Sequence, residues 1–290
     1  MVQTVTEAFP PLPLTEVVDL VNDFGGMTLA EKQASIERLV RVHPTLNMEW
    51  GPGWRYRRCR KLDPGVVPTH VDELIWRKGV PAQLGRANPE GYEVLYLADR
   101  RDTALNEARI ARDPAVLAEF VIQASKSIRV APIGEFAQVQ RTGRGLLAGE
   151  ASAALSNFLN SCSLPEAQSF LIADAFLLDC LVGHDDYAIS SHVALCVFNK
   201  NPNVSAIAYP SRRQDGAINF AVRVEGFWDS WALASVSYGT ARHLAMGYYD
   251  LPIAKAVDEV YGDGRLRWRD MPGGREMLLL GSPFIASVAT

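Results

Sequence analysis

Between Leu84 and Ala111 the hydrophobic pattern changes period. Val94 to Ala98 form a short apolar run of the length of a buried strand, and Ala104, Leu105, Ala108 and Ala111 then recur at helical spacing. Asn88, Pro89 and Gly91 ahead of the run predict a tight turn, because Pro presets φ and Gly permits a positive one. Asp99 to Asp102 break the strand, and Asp102 or Thr103 is expected to N-cap the helix. On the strand, Val94, Tyr96 and Ala98 share one face. On the helix, Glu107 follows Ala104 by three positions and precedes Ala111 by four, so a carboxylate stands in a row of small side chains that leave room beside it. Arg86 stands just before the turn. An Arg, a Tyr and a Glu around a small-residue cleft suit an anionic, partly aromatic ligand.

The same reading predicts amphipathic helices over 15–24 and 28–42, the second opened by a capping box of Thr28 and Glu31. Trp54 to Lys61 reads as a strand with Trp54, Tyr56, Arg58 and Arg60 on one face, and the two aromatics mark that face as the inward one. A buried Arg then needs an anionic partner. The alternative is a basic, solvated edge strand. Residues 62–83 form an insertion, either pocket rim or surface. Strand-like runs follow at Phe120–Ala124 and Ile128–Ile133, and helices at 150–160, 165–182 and 186–199, the last beginning after Asp185 or Asp186. His192 on that helix is expected to be a surface or core residue. Ile207 to Val222 reads as two strands around a turn through Asp215 and Gly216, and 226–290 as further strands with three Trp as core or lid aromatics. TGRGLLAG, Thr142 to Gly149, has G-x-G-x-x-x-G rather than G-x-G-x-x-G spacing and no clear βαβ unit around it. It is read as a flexible connection. The implied organisation is an N-terminal helical extension, residues 1–50, and a main domain, residues 51–290.

Composition narrows the function classes. The 290 residues are 48% hydrophobic and 21% charged, ordinary for a globular chain able to bury a sizeable core. A net charge of −4 argues against a general nucleic-acid binder. No apolar run reaches the length of a membrane span and no secretory signal is visible, so no membrane association and a cytoplasmic location are expected. Cys59, Cys162, Cys180 and Cys196 show no metal-ligand spacing, the last two reading as buried free thiols, and the five His make no paired motif. No metal is expected.

The ordered pattern Gly85-Arg86-x-Asn88-Pro89-x-Gly91, then Leu95 to Ala98, then Thr103-Ala104-Leu105-x-Glu107 resembles the RES domain, named for an Arg, a Glu and a Ser. Tyr209-Pro210-Ser211 with the later Asn219 is similar to a second element of that family, and Arg58-Cys59-Arg60 to its R-x-R opening strand. The resemblance covers roughly residues 54–225. It implies an α+β, ADP-ribosyltransferase-like fold and an enzyme that consumes NAD by cleaving the nicotinamide–ribose bond. The acceptor would be water, inorganic phosphate or a protein side chain, and the biological role that of a bacterial toxin depleting NAD. The implied catalytic set is Glu107, Arg86 and Ser211; Arg58, Arg60, Tyr96 and Asn219 would bind the dinucleotide. It also implies a cognate Xre-type antitoxin with a helix-turn-helix domain, and allows homo-oligomers. A non-catalytic RES-like module that binds a nucleotide or a partner is the alternative reading.

Overall fold

A computed structural model describes residues 5–76, 78–183 and 187–277. In chain order, helices α1 (Val5–Ala8), α2 (Leu14–Asp23) and α3 (Leu29–Val42) lead to strands β1 (Met48–Trp50) and β2 (Arg55–Lys61). Then come β3 (Val94–Ala98), α4 (Arg101–Glu107), β4 (Arg112–Ile122), β5 (Ile128–Pro132), α5 (Glu135–Thr142), α6 (Ser152–Ser161), α7 (Leu164–Leu178) and α8 (Tyr187–Lys200). The chain continues through β6 (Ala206–Pro210), β7 (Ile218–Arg223), α9 (Phe227–Ser230), β8 (Trp231–Ala245), β9 (Tyr248–Val260), β10 (Leu266–Asp270) and β11 (Arg275–Met277). The class is α+β. One mixed sheet runs β1-β5-β6-β7-β3-β2-β4-β8-β9-β10, with β11 added on β9, and among the described residues only β5 and β6 pair in parallel.

Alternation divides the sheet's side chains between two cores. One face gathers Val130, Ala208, Phe220, Leu97, Tyr56, Phe120 and Trp231 from neighbouring strands, and Leu74, Ile75 and Phe227 close over it. The 62–83 insertion is therefore neither rim nor mere surface here: Leu74 and Ile75 are core. The opposite face is covered in two parts. Helices α2, α3, α7 and α8 pack on β5, β6, β7 and β3 through Ile36, Leu39, Phe176, Val193, Ile207 and Ala221. Helix α4 packs Ala104 and Leu105 against Leu117, Ala241 and Tyr249.

Between these two covers, β2 and β3 share a single paired position, Arg57 with Ala98, and then part. In the gap, Arg58 Nη1 donates to the Tyr96 carbonyl at 3.3 Å instead of a ladder bond. β2 is thus an interior strand between β3 and β4, not a solvated edge. Trp54 lies just outside it and is 63% exposed, against the expectation that it turns inward beside Tyr56, which is buried. Sequence alternation holds only where the strand does.

Several other expectations shift. The Thr28–Glu31 capping box is present, and α3 docks by its apolar side, but the N-terminal segment is not wholly helical, because Met48–Trp50 adds an edge strand to β5. The predicted N-cap of α4 moves to Arg100, which caps without a side-chain bond, while Thr103 is buried and donates to Asp99. Helix α4 ends at Glu107, short of Ala111. Strand β4 runs well beyond Phe120–Ala124 toward the N-terminus, and α5 forms where no helix is predicted. The start of α8 at Asp185 or Asp186 lies outside the described residues. The Thr142–Gly149 segment is fastened rather than flexible: the N–H groups of Leu146, Leu147 and Ala148 all donate to the Glu135 carboxylate, at 2.8, 3.0 and 2.6 Å. The anion held by this loop is the protein's own.

A second buried carboxylate braces α4 against the sheet. Glu119 accepts from Arg55 Nη1, Arg57 Nε, Arg101 Nε and Ser235 Oγ at 2.8, 3.0, 2.9 and 2.8 Å. Burial is the largest single influence and pushes its pKa up, but hydrogen bonds from Arg101 and Ser235, the Arg101 charge and Arg57 outweigh it. The net result is a fall from 4.5 to about 2. With the folded value below the unfolded one, the stabilisation is present above pH 4.5 and is lost as pH falls toward 2. At neutral pH the difference corresponds to roughly 3 kcal/mol. Urea unfolding should show Glu119→Gln destabilised by about that amount at pH 7, with the gap to the parent closing through this window. An undiminished gap near pH 2 would contradict the assignment.

Candidate active site

A cavity of about 680 Å³ opens where β2 and β3 part, within the range of small-molecule and cofactor sites. Its walls include Arg58 and Cys59 from β2, Tyr96 and Ala98 from β3, Ala104 and Glu107 from α4, and Tyr209 and Asn219 from β6 and β7. Arg86, Val182 and Tyr187 form the side nearest α8.

Glu107 is the last residue of α4, where the negative end of the helix dipole disfavours a carboxylate. Two hydrogen bonds from the β6–β7 hairpin hold it there. Ser211 Oγ and Asn219 Nδ2 both donate to Glu107 Oε1 at 2.6 Å. The Ser211 oxygen in turn accepts from the Arg213 and Gln214 N–H groups at 3.1 and 3.2 Å, so its own proton is directed at Glu107. Gln214 Nε2 donates to Asp102 on the first turn of α4, fixing hairpin and helix to each other a second time. Glu107 Oε2 has Arg213 Nε at 3.9 Å. The carboxylate is thus oriented through one oxygen while the other remains at the cavity.

The Arg86 turn is built on Tyr96. The Tyr96 hydroxyl donates to Asn88 Oδ1 at 2.7 Å and accepts the Ala87 N–H at 2.8 Å, while Asn88 Nδ2 reaches the carbonyls of Gln83 and Pro89. Burial, chiefly, pushes the Tyr96 phenol well above its ordinary pKa, so this hydroxyl serves the turn as a neutral group. Gly85 is required by close approach, since a Cβ there would fall 2.5 Å from Asn88 Oδ1 and 2.8 Å from the Tyr96 hydroxyl. Arg86 emerges from this turn, donates to the Leu181 carbonyl at 3.0 Å and lies over the Tyr187 ring, 5.3 Å from its centre. Arg58, also on the cavity wall, has its pKa lowered to about 10, first by burial and then by the neighbouring Arg60; it stays cationic at neutral pH. Its buried Nε makes no hydrogen bond.

The structure therefore brings Arg58, Arg86, Tyr96, Glu107 and Asn219 to one cavity, with Ser211 directly behind Glu107. Arg60 does not join them. It turns to the other side of the sheet, where Nη2 donates to the Ile75 carbonyl of the insertion. Neither is His192 at the cavity; it lies 3.2 Å from Glu37 between α3 and α8. Among the described residues, six arginines line the cavity (57, 58, 86, 109, 212 and 213) against one carboxylate, Glu107. Sequence reading missed Arg109, Arg212 and Arg213, although each stands within two residues of Glu107 or Ser211. It also missed Tyr187, for which no local signal exists, and gave no role to Tyr209, although that residue opens the Tyr209-Pro210-Ser211 motif.

Comparison with known families comes to the same elements. The model of the RES domain matches residues 54–230, more than half of the chain. The chain belongs to the RES domain family. No curated protein and no solved structure matches it. The match spans β2, the Arg86 turn, α4 and the β6–β7 hairpin, so every residue around Glu107 described above belongs to the RES region. In this RES domain α4 closes on a Schellman cap: Arg109 N–H donates to the Asn106 carbonyl and Ile110 N–H to that of Leu105. The left-handed position of such a cap usually holds Gly, but here it is Arg109, at φ 54°. The backbone strain is retained beside the cavity mouth. Thermal or chemical unfolding should accordingly rank Arg109→Gly above Arg109→Ala by about 1 kcal/mol. The reverse order, which holds inside a helix, would contradict this cap geometry.

Proposed function

We propose that this RES domain is an NAD-consuming enzyme that breaks the nicotinamide–ribose bond, on an ADP-ribosyltransferase-like arrangement of the sheet. The observation behind this reading is a carboxylate oriented by Ser211 and Asn219 in a cavity whose other charged lining residues are all arginines. NAD presents a pyrophosphate, a ribose and a cationic ring, and loss of nicotinamide builds oxocarbenium character at the ribose carbon, as glycoside cleavage does.

Each need has a group to meet it. Arg58 and Arg86 take the pyrophosphate; a guanidinium fork suits paired phosphate oxygens. The hydroxyl of Tyr96 is committed to the Arg86 turn, so only its ring face is offered to the nicotinamide. Glu107, ionised, accepts a ribose hydroxyl through Oε2 and stabilises the developing positive charge, while Ser211 and Asn219 hold Oε1 and remove the reorganisation that a free carboxylate would require. Ser211 acts through Glu107 and is a positioning residue. The electron pair of the broken bond leaves with nicotinamide, and water, phosphate or a side chain takes the ribosyl carbon. A chain of this activity would deplete NAD in its host, the role of a toxin kept in check by a partner antitoxin.

The test is release of free nicotinamide from NAD by the purified chain. Glu107→Gln keeps the shape and an oxygen for both hydrogen bonds but loses the charge. Release should fall ~100-fold or more with the melting temperature nearly unchanged. A variant that consumed NAD as fast as the parent would refute these roles, and a parent that bound NAD without releasing nicotinamide would favour a binding module.

A further inference from the structure

Away from the cavity, Glu37 on α3 meets His192 and Cys196 on α8. The two α8 residues are four apart and share one helix face. One ligand-type atom from each of the three residues lies within 4.8 Å of the other two. His192 Nε2 is buried and 3.2 Å from Glu37 Oε1, yet it makes no hydrogen bond. At that distance the nitrogen must be aimed past the oxygen. Two ligands of one ion stand in this way, each directed at a shared third point: a nitrogen and an oxygen bound tetrahedrally to zinc are about 3.3 Å apart.

We propose that Glu37, His192 and Cys196 form a zinc site, with a fourth position open to solvent beside the exposed carboxylate. An imidazole, a thiolate and a carboxylate are a donor set for a borderline divalent ion rather than for calcium or magnesium. Cys196 is a free thiol, and a metal must displace its proton to bind the sulfur. Zinc binding forms the Zn–S bond and releases that proton to solvent, leaving a site of no net charge. The ion would clip α3, which precedes the RES region, to α8, whose first residue Tyr187 underlies Arg86. Spacing along the sequence hides the set because its ligands come from two distant helices.

Full-length, untagged protein stripped with a chelator and dialysed against zinc should bind one ion per chain and melt several degrees higher. Cobalt should give a thiolate-to-metal absorption band. Cys196→Ser should abolish that band, and Glu37→Gln, at a solvent-exposed position, should weaken zinc binding at least ~10-fold while preserving the fold. No stoichiometric binding by the parent, a cobalt complex without the thiolate band, or zinc affinity equal to the parent's in both variants would overturn the assignment.

Discussion

The paired hydrogen bonds on Glu107 Oε1 are the interaction on which the site depends. They join the end of α4 to the β6–β7 hairpin, two segments about a hundred residues apart in sequence. An acid at a helix C-terminus, beside small side chains and with one oxygen at a cavity, is an expensive place to leave a charge. Ser211 has two backbone donors directed at its oxygen, so it can only give its proton away, and Glu107 receives it. Asn219 supplies the second donor. The arrangement holds one carboxylate oxygen still and leaves the other to do chemistry.

Around that carboxylate the protein concentrates positive charge that its composition conceals. The chain as a whole is acidic, at −4, yet six arginines stand on the wall of one cavity. Cations gathered in a concave, poorly solvated site focus field lines and raise the local concentration of an anionic ligand. The fold makes room for them by parting β2 from β3, so that Arg58 occupies a gap in the sheet instead of a ladder position. Glu119 takes up Arg55, Arg57 and Arg101, bracing α4 on the sheet, and Arg57 alone of these three also lines the cavity.

Much of this was legible in the sequence where the signal was local. The turn at Asn88 to Gly91, β3, the capping box at Thr28 and the β6–β7 hairpin each rest on short-range propensities, and each is present. So was the gathering of Arg86, Glu107, Ser211 and Asn219, but only because the family resemblance joins motifs that spacing alone cannot place together. What escaped depends on tertiary context. Period-two alternation assigned Arg58 and Arg60 to one face, but the parting of the strands takes Arg58 to the cavity while Ile75, from the insertion, captures Arg60. Trp54 read as inward only because it was counted into a strand that begins one residue later. The resemblance placed Tyr96 at the dinucleotide, and no sequence signal showed that its hydroxyl also holds the Arg86 turn.

The central claim is geometric: one cavity seats a dinucleotide with its reacting ribose at Glu107 and its phosphates on the opposing arginines. A crystal structure of Glu107→Gln grown with NAD tests it most directly. The account predicts an uncleaved dinucleotide with the nicotinamide-side ribose against residue 107 and the pyrophosphate between Arg58 and Arg86. A dinucleotide seated elsewhere, or an empty cavity at saturating NAD, would contradict it.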